Sequence, residues 1–249
     1  MAQEGRVALV SGAARGLARG IALNLAESGY RIAFTYREGG TPPLQTSDLL
    51  RSHGVEPFAI AADAQAEGDT LRAVRATEQH FGRVDVLVHA VGPIVVKRFA
   101  NLTMADHRSM IEANYTSAVE AAFAVLPGMR ERRYGRLIYF GMNGSHDTLP
   151  SPGMTLYTGA KAAVVAFARS LALEEAASGI TINIVEPGDI RDKDISRAQA
   201  ISVPANNPTG HAGSWEDIAA AVRFLISDDA SFINGVTLGV NGGLAEPHE

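Results

Sequence analysis

The chain of 249 residues contains no cysteine. That absence excludes disulfides, thiolate metal centres and a cysteine nucleophile, and it suits a cytoplasmic setting. Long apolar runs are also missing. Nothing in the sequence reads as a membrane span, and the least polar stretch, residues 160–173, is interrupted by Lys161, Arg169 and Ser170. The apolar segment that begins at Val7 is too short for the core of a secretory leader, and an acid precedes it. Excess positive charge is lacking: the formal net charge is −5, which gives no electrostatic reason to expect nucleic acid or an anionic membrane as partner. No group of His, Asp and Glu has a metal-ligand spacing, so no metal is expected. No Gly-x-Ser-x-Gly elbow is present, which sets aside an esterase. There are no repeats and no linker-like boundaries, so residues 1–249 are expected to form one domain.

What is present is ordinary for a globular protein, with 46% hydrophobic and 20% charged residues. Short β-branched runs at 7–11, 31–36, 55–61, 84–89, 136–140, 181–185 and 236–240 read as strands. Helical patterns fill 17–28, 48–54, 69–81, 103–130, 155–177 and 214–227. Pro127-Gly128 should disturb the end of the fourth helical region. Ser214 with Asp217 three residues on marks a helix start. The alternation predicts an α/β fold: a doubly wound parallel sheet of about seven strands with helices on both faces. The polar segment 189–213 breaks the pattern and is expected to be a functional or mobile loop.

Three features carry chemistry. The first is the turn between strand one and helix one, Ser11-Gly12-Ala13-Ala14-Arg15-Gly16-Leu17-Ala18. Gly12 permits a tight turn, Gly16 allows a phosphate close to the backbone, and the helix start offers unpaired N–H groups. The second is the end of strand two, Thr35-Tyr36-Arg37, which lacks the acid that would bind a ribose hydroxyl. Arg37 and Arg15 can instead bracket a 2′-phosphate, which favours NADP(H) over NAD(H). Asp63, with Ala64 beside it after strand three, either bonds an adenine amino group or caps a turn. His89-Ala90-Val91-Gly92 ends strand four, where Ala90 and Gly92 let the backbone approach a cofactor; His89 itself reads as a packing residue.

The third feature is Tyr157-Thr158-Gly159-Ala160-Lys161. Residues four apart share a helix face. A phenol beside an ammonium should have its pKa lowered, which makes it a proton donor to a carbonyl oxygen or an acceptor from an alcohol. Asn114 falls in mid-helix, where asparagine is a mediocre helix former; it either points to solvent or holds the helix open for a water.

Taken together, these residues resemble the short-chain dehydrogenase/reductase family, and most of all its 3-oxoacyl-carrier-protein reductases. The resemblance runs from Val7 to Gly243 and rests on Gly12-x-x-x-Gly16, Asp63, Asn114, Tyr157-x-x-x-Lys161, Pro187-Gly188 and Val240-Asn241-Gly242-Gly243. It implies a Rossmann fold, NADP(H), and a carbonyl or alcohol substrate that includes acyl thioesters. It implies Tyr157 as general acid or base, Lys161 on the nicotinamide ribose, and Asn114 holding a water behind Lys161. It further implies that Pro187, Gly188 and Ile190 lie against the nicotinamide, with the loop 189–213 over the substrate. Family members pair two helices across a two-fold axis. The small apolar surfaces at 118–126 and 162–171 imply such a dimer here, and a dimer of dimers beyond it.

The chain departs from the family pattern in three places. Ala18 replaces a common third glycine. His89 replaces an asparagine whose side chain normally tethers neighbouring strands. Most important, the serine that in the family meets the substrate oxygen, about thirteen residues before the tyrosine, falls on Gly144 by counting and on Met142 by aligning strand five. Either Ser145 or Asn143 shifts into its role, or the site lacks the donor. The last case leaves open a cofactor-binding sensor or scaffold with little turnover.

Overall fold

The computed structural model describes residues 5–244. The strands are β1 (Val7–Val10), β2 (Arg31–Tyr36), β3 (Phe58–Ala61), β4 (Val86–His89), β5 (Gly135–Phe140), β6 (Ile180–Pro187) and β7 (Thr237–Val240). They form one all-parallel sheet in the order β3-β2-β1-β4-β5-β6-β7. The chain leaves β1 toward one edge and returns at β4 on the other side. This reversal opens a crevice at the carboxyl ends of β1 and β4, the place where ligands bind in open α/β sheets.

The helices are α1 (Gly16–Glu27), α2 (Leu44–Ser52), α3 (Asp69–Phe81), α4 (Met104–Ile111), α5 (Ser117–Arg132), α6 (Thr155–Glu175), α7 (Arg197–Ala200) and α8 (Trp215–Ile226). On one face, α1 and α8 bury Ile21, Leu25, Ile218 and Val222 against Val10, Ile32 and Val185. On the other, α3, α5 and α6 bury Val74, Val125, Met129 and Val164 against Leu9, Leu87 and Ile182. Strands covered on both sides explain why the sequence shows continuous apolar runs rather than alternation. α1 and α8 meet at Gly20, where a Cβ would lie 2.5 Å from the Trp215 ring.

Several boundaries differ from the sequence-based expectation. α2 starts at Leu44, directly after Pro43, because a proline suits the first turn of a helix, where its missing N–H is not needed. α5 runs through Pro127 to Arg132, just past the expected end near 130. Buried Val125, Leu126 and Met129 hold it to the sheet against the proline's cost. The long helix 103–130 is two helices joined by a π-helical turn, Glu112–Thr116, which contains Asn114. Ser214 and Asp217 form the expected capping box of α8. The segment 155–178, mean hydropathy 1.2, is long and apolar enough by composition to cross a bilayer, contrary to the sequence reading. Here Val164, Ala168 and Ala172 pack it against the sheet.

Candidate active site

The glycine turn after β1 is fixed from β2. Gly12 N donates to Thr35 Oγ1 at 2.9 Å, and Ala13 N donates to Thr35 O at 3.0 Å. Thr46 of α2, fully buried, donates its hydroxyl to Ala13 O at 2.9 Å. Gly12 and Gly16 both have positive φ, 72° and 62°, which a side chain would oppose. α1 has no side-chain cap and no acid in its first turn. Its leading N–H groups and positive dipole end therefore face the crevice unneutralised.

A cleft of about 280 Å³ follows, lined by Gly12, Arg15, Arg37, Asp63, Ala64 and Gly92, among others. Arg15 and Arg37 are exposed, and neither forms an ion pair among the described residues. Asp63 Oδ1 accepts from Gln65 N at 3.0 Å, so it caps a turn while also lining the cleft. A second compartment of about 210 Å³ is lined by Leu17, Met142, Tyr157, Lys161, Pro187, Gly188, Ile190 and Lys193. Ala90 and Gly92 line both, so the two compartments adjoin there. Gly16 lines neither; it lies under Lys193, whose Cβ would be 3.5 Å from a Cβ at Gly16.

His89 is buried between Ser11 Oγ (3.4 Å) and Ser117 Oγ (3.0 Å), and Ser11 Oγ accepts from Ala90 N at 2.8 Å. The strand tether expected to be lost is thus rebuilt from a serine and a histidine. Burial, aided by the Lys161 charge, lowers the His89 pKa to about 3, so the ring stays neutral.

Tyr157 and Lys161 occupy the first two turns of α6. Lys161 Nζ donates to Phe140 O at 2.9 Å and lies 5.6 Å from the Tyr157 ring centroid. Burial pushes the Tyr157 phenol up to about 12 and the Lys161 ammonium down to about 8. The first shift has the opposite sign to the one expected from sequence. The ammonium is turned to a carbonyl and stands over the ring, so its pull on the phenolate does not offset the loss of water around the hydroxyl. Asn114, 1% exposed, donates to Met110 O and Pro93 O at 3.0 and 3.2 Å. Its Oδ1 is buried without a hydrogen-bond partner among the described residues. A Cβ on Gly92 would sit 2.7 Å from that oxygen and 2.9 Å from Lys161 Nζ, so the two atoms converge on the bare face of Gly92.

The loop after β5 is occupied elsewhere. Ser145, 1% exposed, donates its hydroxyl to Glu186 Oε1 at 2.6 Å, away from the cleft lining. Asn143 Oδ1 accepts from Asn241 Nδ2 at 2.7 Å. Met142, on which the serine's position falls by aligning strand five, lines the cleft, and Thr158 Oγ1 donates to its sulfur at 3.5 Å. Glu186 was not singled out from the sequence. Its only signal there was an acid following the apolar pair Ile184-Val185, immediately before Pro187-Gly188. Of the basic residues on loop 189–213, Arg191 pairs with Asp189 and Arg197 with Asp217, while His211 lines a separate cavity. Only Lys193 of these reaches the cleft.

A doubly wound sheet with a glycine-lined crevice at its switch point, and a tyrosine–lysine pair in that crevice, makes this a Rossmann-type α/β protein. Comparison with known proteins narrows the class. Residues 12–245 match the family described as enoyl-(acyl carrier protein) reductase. The 3-oxoacyl-[acyl-carrier-protein] reductase of Escherichia coli K12 is 37% identical over 246 residues, 97% of this chain and 98% of that one. A blue fluorescent protein from a metagenomic library, solved in complex with NADPH, superposes with a TM-score of 0.86 at 31% identity, covering 98% of this chain and 99% of that one. The acetoin dehydrogenase YohF of Salmonella typhimurium superposes with a TM-score of 0.85 at 29% identity, covering 98% of each chain. The chain belongs to the short-chain dehydrogenase/reductase family.

Proposed function

We propose that the protein is an NADPH-dependent carbonyl reductase, with a 3-oxoacyl thioester as the first substrate class to test. The observation that carries this is the adjacency of two compartments: one lined by arginines and one that holds Tyr157 and Lys161 share Ala90 and Gly92 in their walls. The residues fit NADPH. Arg15 and Arg37 suit the 2′-phosphate, the uncapped start of α1 with Gly12 and Gly16 suits the diphosphate, and Asp63 with Ala64 borders the adenine. Leu17, Pro187, Gly188 and Ile190 wall the nicotinamide end. NADPH, when bound, supplies the hydride that adds to the carbonyl carbon.

The chain supplies the proton. Tyr157 keeps its proton across the physiological range and hands it to the carbonyl oxygen as hydride arrives, so that ketone, hydride and proton give the alcohol. Lys161 holds the nicotinamide ribose and steadies the transient phenolate. Asn114 Oδ1, facing Lys161 across Gly92, holds a water that returns the proton from solvent. Phe123 on α5 and Leu173 on α6, 75% and 79% exposed, mark the faces on which two copies would pair. A homotetramer in the cytoplasm is the assembly we infer, and light scattering tests it.

The experiment is NADPH and NADH oxidation by the purified protein against a carbonyl panel that includes acetoacetyl thioesters, repeated with Tyr157→Phe. Turnover that prefers NADPH and collapses in the variant supports the proposal. Tight NADPH binding without turnover favours a second reading, a cofactor-binding sensor or scaffold, for which Met142 in place of a hydroxyl donor is the specific observation.

A further inference from the structure

Glu186 is the last residue of β6 before the Pro187-Gly188 wall of the cleft, and it is 1% exposed. A carboxylate buried this deeply is costly unless its oxygens are fully engaged. Here they accept four hydrogen bonds, all from three consecutive residues after β5. The donors are Ser145 Oγ at 2.6 Å, His146 Nδ1 at 2.8 Å, His146 N at 3.0 Å and Gly144 N at 3.2 Å. Ser145 Oγ in turn accepts from Met142 N at 3.1 Å. The chain passes so close over this carboxylate that a Cβ at Gly141 would lie 2.6 Å from Ser145 Oγ and 2.8 Å from Glu186 Oε1. The loop is therefore wrapped around Glu186, with its donors turned inward. What it turns toward the cleft is Met142, which lines it together with Tyr157.

We propose that Glu186 is a positioning residue that sets substrate choice: it keeps the donors of Gly144, Ser145 and His146 out of the cleft, so that the wall beside Tyr157 is Met142 and carbonyls flanked by apolar groups are preferred over those flanked by a second oxygen. This rests on the carbonyl-reductase reading above. A polar neighbour on the substrate would need a donor that the wall does not offer, and an unpaired buried oxygen is strongly rejected. Releasing the loop would return Ser145 Oγ–H and the Gly144 and His146 amides to the cleft and erase the preference.

The test compares kcat/KM for an acetoacetyl thioester with kcat/KM for a vicinal diketone, in wild type and Glu186→Gln. The amide loses the charge and offers only one oxygen to four donors. The thioester-to-diketone ratio is expected to fall at least tenfold, while NADPH affinity by fluorescence titration stays within threefold. A ratio unchanged within threefold overturns the proposal. So does an equal loss on both substrates accompanied by a parallel loss of NADPH affinity, which is the signature of a general structural role. Should Glu186→Gln fail to fold, Ser145→Ala removes one donor and frees Met142 N–H. It must shift the ratio in the same direction by about threefold, and no shift overturns the proposal. Wild type that turns over neither carbonyl would instead sink the reductase reading. In that case Glu186 is tested alone by the ¹³C-methyl signals of the six methionines, assigned with Met142→Leu. The Met142 signal must move or broaden in Glu186→Gln, and an unmoved signal ends the proposal.

Discussion

At the β1–β2 end of the cleft, binding is prepared by backbone: two left-handed glycines, uncapped helical N–H groups, and hydrogen bonds from Gly12 and Ala13 to Thr35. At the β5–β6 end it is prepared by side chains distant in sequence. The Ser145–Glu186 bond spans 41 residues, and the Asn143–Asn241 bond spans 98. The first end is a fixed cradle whose chemistry is written in a short motif. The second is a wall whose character depends on which buried partner gathers the loop. On the proposed reading, a protein built this way can keep its cofactor end while its substrate end changes.

The sharpest way to separate the two ends is Tyr157→Phe. It removes the proton donor and nothing from the cradle. A positioned acid is worth roughly 10²–10⁴ in rate, so carbonyl reduction should fall about a thousandfold while NADPH titration remains unchanged. Parallel loss of both would mean that the two ends are not separable.

This division also explains what the sequence made legible. Gly12, Arg37, Tyr157 and Lys161, which the structure brings to the cleft lining, could be singled out because spacing along one or two elements marks them. The parallel sheet and both helical layers followed from the same alternation, while the order of the strands came only from the structure. The fate of Ser145 and Asn143 was not legible, because it is decided by Glu186 on β6 and Asn241 just after β7, which no local pattern links to the loop. The sign of the Tyr157 shift was missed for a related reason. Spacing puts the lysine near the phenol, but only packing shows that its ammonium points to Phe140 O. Thr46, which secures the glycine turn from α2, likewise left no local mark.

Gly92 is where the two ends touch, and Gly92→Ala should damage the catalytic end more than the cradle. The new methyl would press on Asn114 Oδ1 and Lys161 Nζ, at 2.7 and 2.9 Å. Displacing catalytic groups by about 1 Å costs on the order of a hundredfold in rate. We expect that loss in kcat, with NADPH affinity reduced only a few-fold. Wild-type kcat in this variant would show that Asn114 and Lys161 do not act across Gly92. Arg37→Ala perturbs the opposite end. Loss of a charge-assisted bond to phosphate costs roughly 1.5–3 kcal/mol, and the exposed position favours the lower figure. NADPH should bind about tenfold more weakly, with NADH unaffected. Equal weakening of both cofactors would remove Arg37 from the 2′-phosphate.

The smallest effect is one of pH, and it reads the catalytic end alone. Burial holds the Lys161 ammonium down to about 8 and the Tyr157 phenol up to about 12. Between pH 7 and 8.5 the phenol keeps its proton, so the acid itself is not lost. Over the same window Lys161 passes from mostly charged to mostly neutral, since it releases its proton as pH rises through about 8. If its charge steadies the phenolate formed in reduction, kcat/KM should fall about fourfold across that window, as the charged fraction does. Lys161→Met, which fills the same buried space without a charge, should be slower throughout and flat over this range. A wild-type profile that is flat while Lys161→Met is slow would assign Lys161 to holding the cofactor rather than to tuning Tyr157, and would move it from the catalytic end of the comparison to the cradle.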